Sequence, residues 1–224
     1  MNKDNFGSLN CYFGNITPKE TVEGINASKR NSKRLVEDAK LLFKSERYPS
    51  AIALAILAIE EDGKATLLRN IPTASTDAEI KNVWKQFRSH RNKNGLWKFA
   101  DYVNKEVKKF SEVKSLVASN SEHTKRLDQI KQACFYVDCY RKGFWSEPVK
   151  IADIQFAQLI INTAEVLVNS HEECTELEIQ LWVKHQTGAA GNRFNAVANW
   201  YADMQAHGLK PPGINESKEF FSEV

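Results

Sequence analysis

Ser50-Ala51-Ile52-Ala53-Leu54-Ala55-Ile56-Leu57-Ala58-Ile59-Glu60-Glu61-Asp62-Gly63-Lys64 decides the fold of this 224-residue chain. From Ala51 to Ile59 the run contains only Ala, Ile and Leu. Alanine is a strong helix former and a poor strand former, and the run continues into Glu-Glu-Asp, which favours helix over strand. A helix apolar on nearly every side must be covered on nearly every side. The stretch therefore predicts the central helix of a bundle. Glu60, Glu61, Asp62 and Lys64 stand at the end of this buried rod, where charges are costly unless paired or used.

Outward from that axis, the chain reads as helices separated by clear breaks. Thr17-Pro18-Lys19-Glu20 is a capping box with proline at the first helical position. The helix it starts carries the stripe Val22, Ile25, Ser28/Lys29, Ser32, Leu35, Ala39 and Leu42/Phe43, strongly apolar only after Leu35. Its first half is therefore expected to project or to contact another subunit. Ser45 to Tyr48 forms a turn, and Pro49 opens the central helix. Thr76 and Glu79 form a second capping box, before Ile80, Val83, Trp84 and Phe87, with an interruption at Asn92 to Gly95. Leu96, Phe99, Val103, Val107 and Phe110 stripe another helix. Leu127, Ile130, Cys134 and Val137 stripe the next, ending near Gly143. Helices are further predicted over Ile151 to Val168, Glu176 to His185 and Asn192 to His207, with Gly208 as a C-cap. No strand alternation is evident. The fold class is all-α, an antiparallel helical bundle with additional C-terminal helices. The expected organisation is an irregular arm over 1–16, a bundle over 17–170, a helical extension over 171–208 and a loose tail over 209–224.

The net charge is +3, but its distribution is uneven. Lys81 to Arg126 holds 12 Lys and Arg against 4 Asp and Glu, while Glu147 to the end holds 5 against 11. A basic middle suits a nucleic-acid surface, or pairs with the acidic C-terminal third. Four cysteines form no CxxC, Met1 to Asn10 carries no secretory pattern, and no apolar run spans a bilayer. The expectation is a cytoplasmic protein with reduced thiols and no membrane association. His171, Glu172, Glu173, Cys174 and His185 match no standard zinc spacing, so neither metal nor cofactor is expected.

Three places bear ionisable groups suited to chemistry. Glu60 and Glu61 each lie one helical turn from Lys64, so either can pair with it, with Gly63 serving close packing. His90 flanks the Trp84/Phe87 stripe with Lys93 beyond it. Arg88 lies about 200° round the helix from His90, so the two converge only if the helix ends there or two subunits each donate one. Lys131, Cys134 and Asp138 share a helical face, with Tyr136 pointing elsewhere toward Tyr140.

Together these segments resemble the AbiV family of abortive-infection proteins, whose core belongs to the HEPN superfamily of helical bundles. The resemblance rests on Leu35-x-x-Asp38-Ala39-x-Leu41-Leu42 and on Tyr48-x-x-Ala51-x-x-Leu54-Ala55-x-x-Ala58-x-Glu60-Glu61-x-Gly63-Lys64. Phe87-x-x-His90-x-x-Lys93 and Tyr136-Val137-Asp138, with Gly143 and Pro148 following, extend it over roughly residues 17 to 168. It implies a bacterial antiphage effector that halts growth or translation as a homodimer, acting on RNA or the translation machinery, with a phage-encoded protein as activator. Many members of the superfamily are metal-independent endoribonucleases, marked by an arginine four to six residues before a histidine. No arginine stands so before any of the five histidines; Lys85 takes that place before His90.

On this resemblance His90, Lys64, Glu61 and Arg88 are the catalytic candidates. His90 is the general acid or base, Lys64 and Arg88 stabilise phosphate charge, and Glu61 orients them. Lys85, Arg91 and Lys93 are RNA-binding candidates, and Glu60, Tyr136 and Asp138 supporting ones. A non-catalytic binding protein docking on a ribosomal component or phage protein is the rival reading. A toxin–antitoxin-like module, its acidic C-terminal helices covering the basic middle, is the third.

Overall fold

The computed structural model describes residues 10–89, 122–140, 142–169, 173–189 and 193–210. The long first helix α1 (Pro18–Lys44) starts at the predicted box: Thr17 Oγ1 accepts from the Glu20 N–H, and the Glu20 carboxylate accepts from the Thr17 N–H. These bonds to Thr17 hold the Glu20 carboxyl below its ordinary range. A three-residue turn, with Glu46 in the left-handed region, folds the chain back into α2 (Tyr48–Leu68). This is the predicted axis. From Ala51 to Ile59 every residue but Leu54 and Leu57 is buried.

The other elements close around it. They are α3 (Asp77–Arg88), α4 (Glu122–Phe135), the strands β1 (Asp138–Tyr140) and β2 (Phe144–Ser146), α5 (Pro148–Ile151), α6 (Ile154–Asn169), α7 (Glu176–Gln186) and α8 (Arg193–Ala206). The fold is all-α apart from one two-stranded hairpin. Two apolar cores lie along α2. The first packs Leu35 and Ala39 of α1 with Ile52, Ile56 and Ile59 of α2, Leu127 of α4 and Ile160, Ala164 and Leu167 of α6. The second gathers Ile25 of α1, Leu68 of α2, Ile80 and Trp84 of α3, and Cys174 and Ile179 at α7. Among the described residues no helix is long and apolar enough to cross a membrane.

Polar residues separate the two cores. Ser28, Lys29 and Ser32 of α1, Glu60 and Asp62 of α2 and Lys131 of α4 are all buried. Lys131 Nζ donates to Glu60 Oε1 at 2.6 Å and approaches Asp128 Oδ1 at 3.1 Å. The first half of α1 is thus covered within the chain and does not project. Its small polar stripe lets α7 approach, and Asn26 exchanges two hydrogen bonds with the Cys174 backbone, at 2.9 and 2.8 Å.

Three boundaries differ from expectation. The helix through Leu127 ends at Phe135 instead of running to Gly143, because Tyr136 to Tyr140 is rich in β-branched and aromatic residues and pairs back on Phe144 to Ser146. Lys142 and Gly143, both at positive φ, make the reversal. The helix predicted from Ile151 is interrupted after Ile151, where Asp153 Oδ1 accepts from the Phe156 N–H at 2.7 Å and starts α6 afresh. Lastly, α3 ends at Arg88, with Ser89 extended, ahead of the interruption expected at Asn92 to Gly95. The stripe Leu96 to Phe110 lies outside the described residues. At the other end of the chain, α8 stops at Ala206 and Gly208 adopts φ +70, as its C-capping role requires.

A buried ion pair is costly to break from one side, since the remaining charge is left without its partner. Lys131→Met should lower the unfolding free energy by about 3–5 kcal/mol, whereas Glu60→Leu with Lys131→Leu should recover most of that loss. Urea titrations of the single and double variants measure both.

Candidate functional site

Successive residues on α2 diverge by about 100°, so the two glutamates face different neighbours. Glu60 points into the bundle at Lys131. Glu61 forms the ion pair with Lys64 and accepts from Asn31 Nδ2 of α1 at 3.0 Å. Of the two pairings open to Lys64, the shorter-spaced one is formed. Lys64 Nζ also lies 5.1 Å from the centre of the Phe87 ring, and so joins the charged end of α2 to the end of α3.

Arg88 is held tightly. Its guanidinium donates to the Tyr12 carbonyl at 2.6 Å and to the Trp84 carbonyl at 3.4 Å, and sits 4.2 Å from the Phe13 ring centre and 5.0 Å from that of Trp84. Trp84 Nε1 donates to the Gly14 carbonyl at 2.8 Å, so α3 fixes the arm Tyr12 to Gly14 at two points. Between arm and helix opens a concavity of about 590 Å³ lined by Phe13, Lys81, Lys85, Arg88 and Ser89. Lys81, Lys85 and Arg88 are spaced four and three apart on one face, and both lysines are exposed. Phe13 and Lys81 escaped the sequence reading. Lys81 was detectable as the residue one turn before Lys85, whereas nothing in the irregular arm marked Phe13.

The remaining candidates fall elsewhere. His90, Arg91 and Lys93 lie outside the described residues. The helical spacing that set Arg88 apart from residue 90 stops applying at Ser89, where α3 has ended. Asp138 does not share a helical face with Lys131 and Cys134: it is in β1, where its carboxylate accepts from the Cys139 N–H at 2.7 Å and its backbone pairs with Ser146 Oγ. Tyr136 is exposed beyond the end of α4, and no helical turn links it to Tyr140. The structure thus brings Glu61, Lys64, Lys85 and Arg88 to one side of the α2–α3 junction and separates Glu60, Tyr136 and Asp138 from them.

A second charged cluster was not foreseen. Arg69 at the end of α2 bonds Glu178 of α7 at 2.5 Å, and buried Lys29 and Asp62 lie in the same field. Burial lowers the Lys29 ammonium below its ordinary range, with Arg69 adding to the effect. Burial likewise raises the Asp62 carboxyl to about 6, against the opposing pull of Lys29 and Arg69. Desolvation therefore outweighs pairing at both groups. Cys134 and Cys174 are buried thiols pushed up to about 11, which makes them inert as nucleophiles. On the far side, Lys184 and His185 hold the Asp203 carboxyl down at about 2 and tie α7 to α8. Among the described residues no group of three or more His, Cys, Asp or Glu is placed to hold a metal ion.

The raised carboxyl has a signed consequence. Between the unfolded value near 4 and the folded value about 6, the native state binds more protons at residue 62, so its contribution to stability falls as pH rises through that window. Asp62→Asn removes this dependence. The variant should match wild type near pH 4 and exceed it above pH 6, by roughly 2–3 kcal/mol at most. Urea unfolding at pH 4, 5, 6 and 7 reads the difference.

Comparison with known families gives one match: the family model HEPN_AbiV, described as AbiV, covers residues 20–169. Neither the curated proteins nor the solved structures contain a match to the chain. The matched span runs from the first turn of α1 to the end of α6, and so takes in the central helix, its charged end and the hairpin. The chain belongs to the AbiV family, abortive-infection defence proteins of HEPN type.

Proposed function

We propose that this protein is an abortive-infection effector that shuts down growth or translation on infection by engaging RNA, and that it does so as a dimer. The observation that carries this reading is the open basic concavity between α3 and the arm. Lys81 and Lys85 offer two exposed ammonium groups one helical turn apart, suited to successive phosphates of a single strand. The half-exposed Phe13 ring, backed by Arg88, is a stacking platform for a base. Phosphate contacts of this kind hold RNA without reading its sequence.

If the bound strand is cleaved, the ribose 2′-oxygen attacks the adjacent phosphorus as its proton passes to a base. The bond from phosphorus to the 5′-oxygen breaks, and the leaving oxygen takes a proton. His90, one residue beyond Ser89, is assigned the proton transfer, with Lys64 and Arg88 as cations for the phosphorane charge and Arg91 and Lys93 as further RNA contacts. A non-catalytic reading is favoured by a specific observation: Lys64 is engaged by Glu61, and Arg88 by the Tyr12 carbonyl and two rings. In that reading both cations brace the arm and the α2–α3 junction, and Lys81 and Lys85 alone hold RNA.

One set of assays separates the two. Purified wild type, His90→Ala and the double variant Lys81→Glu/Lys85→Glu are incubated with total bacterial RNA in chelator, with extract of phage-infected cells as a source of activator. The double variant should bind RNA at least tenfold more weakly, and the slope of log affinity against log salt should fall by about 2. Equal affinity in both proteins would remove the α3 groove as the RNA surface. Cleavage by wild type that is lost in His90→Ala supports the ribonuclease; intact RNA with translation arrested supports the binding protein.

A further inference from the structure

The outer face of α6 is unlike that of any other long helix in the bundle. Its exposed residues are Ile154, Gln155, Gln158, Leu159, Asn162 and Val166, with no charge among them. The helix has a single ionisable residue, Glu165, which lies at the margin and pairs with Lys40 of α1. By contrast α1 exposes Glu23, Arg30, Lys33, Arg34, Glu37 and Lys44. Both helices bury one face in the same core, so the difference lies in what each outer face meets. A solvated helix face is ordinarily charged. Leu159 and Val166 are 56% and 60% exposed.

The chain leading into α6 is also apolar and exposed. In the hairpin, Phe144 and Trp145 are 68% and 63% exposed, and Val149 of α5 is 73% exposed. Two isolated strands are marginal in water, and here only Ser146 among the strand residues is buried. At about 200 Å² per aromatic side chain, the five aromatics from Phe135 to Trp145 expose roughly 550 Å². The exposed aliphatic residues of the hairpin, α5 and α6 bring the total to roughly 1,000 Å². A monomer's largest apolar patch is about 300–600 Å², and each partner in a standard interface contributes about 800 Å².

We infer that the α6 face, extended by α5 and the hairpin, is the surface on which a second copy of this chain docks. The inference rests on the dimeric reading proposed above and assigns its interface. A two-fold contact sets the same patch against itself, so a charged patch would oppose like charges, whereas this one has none to oppose. Gln158 and Asn162 each carry a donor and an acceptor, so their amides can pair symmetrically across the axis. In one chain Gln158 Nε2 already donates to Asn162 Oδ1 at 2.6 Å, which sets both amides on one stripe with Leu159 and Val166.

The test is sedimentation velocity on the full chain from about 0.1 to 100 µM. Wild type should be a dimer, and Leu159→Glu/Val166→Glu should weaken its dissociation constant at least 100-fold by placing carboxylates on both sides of the contact. Gln158→Arg, a single change at an exposed position, should weaken it at least tenfold, with far-UV circular dichroism confirming that each variant is folded. A dimer of unchanged affinity in Gln158→Arg and in the folded double variant would overturn this surface while leaving the dimeric reading in place. A wild-type monomer throughout the range would overturn both, and RNA affinity at the α3 groove is measured independently of either.

Discussion

The buried charge at the end of the apolar run of α2 is the constraint on which the rest of the arrangement depends. Glu60 lies inside a bundle otherwise built of Ala, Ile and Leu, and a carboxylate there is tolerable only with a cation within hydrogen-bond reach. Lys131 supplies it, and in doing so fixes where α4 lies along α2. Small apolar residues can interdigitate in several registers at similar area. An ion pair of 2.6 Å can be made in one. The buried polar group is thus better understood as a device of alignment than of raw stability, since well-packed apolar residues at both positions would hold the helices as firmly.

The polar belt divides the core in two, and that division places the candidate site. Beyond it, α2 no longer needs α4 and α6 alone; Ala65 and Leu68 are covered by α3, α7 and the first half of α1. Glu61, turned by about 100° from Glu60, emerges at this second core, where it sets Lys64 against Phe87. The arm then closes over Trp84 and Arg88. A single step along one helix thus separates a structural carboxylate from one at the surface concavity's edge. The second core also extends past the span matched by the family: Ile179 is fully buried and Glu178 ties down Arg69, so α7 packs as part of the bundle.

Much of this was legible in the sequence because it depended on local rules. The capping boxes at Thr17 and Thr76, the buried axis from Ala51 to Ile59 and the cap at Gly208 all follow from residues within one or two turns of each other. What was misjudged depended on distant partners or on short elements. Tyr136 to Ser146 carries helix-compatible spacing, and only the pairing of Cys139 with Trp145 and of Tyr140 with Phe144 makes it a hairpin. The polar first half of α1 looked like a projecting surface because its partner, the Cys174 backbone, lies 148 residues away. Glu79 shows the same competition on a small scale: its carboxylate accepts from Ser75 instead of the Thr76 N–H that the box pattern implies.

Glu178 makes the final point about what spacing alone can carry. It occupies the third position of α7 after Thr175, whose hydroxyl accepts its N–H at 3.2 Å, so the sequence supports a reciprocal cap. Its carboxylate instead crosses to Arg69, in a partly buried site where a charge-assisted bond outweighs one to an exposed backbone amide. The helix forgoes half of its cap and the bundle gains a link between α2 and α7. Asp62 and Lys29 lie beside that link with their charged forms disfavoured by burial, and Arg69 acts on both, so the Arg69–Glu178 pair sets the field in which the polar belt titrates. The coupling between the C-terminal helices and the central helix is therefore electrostatic as well as apolar.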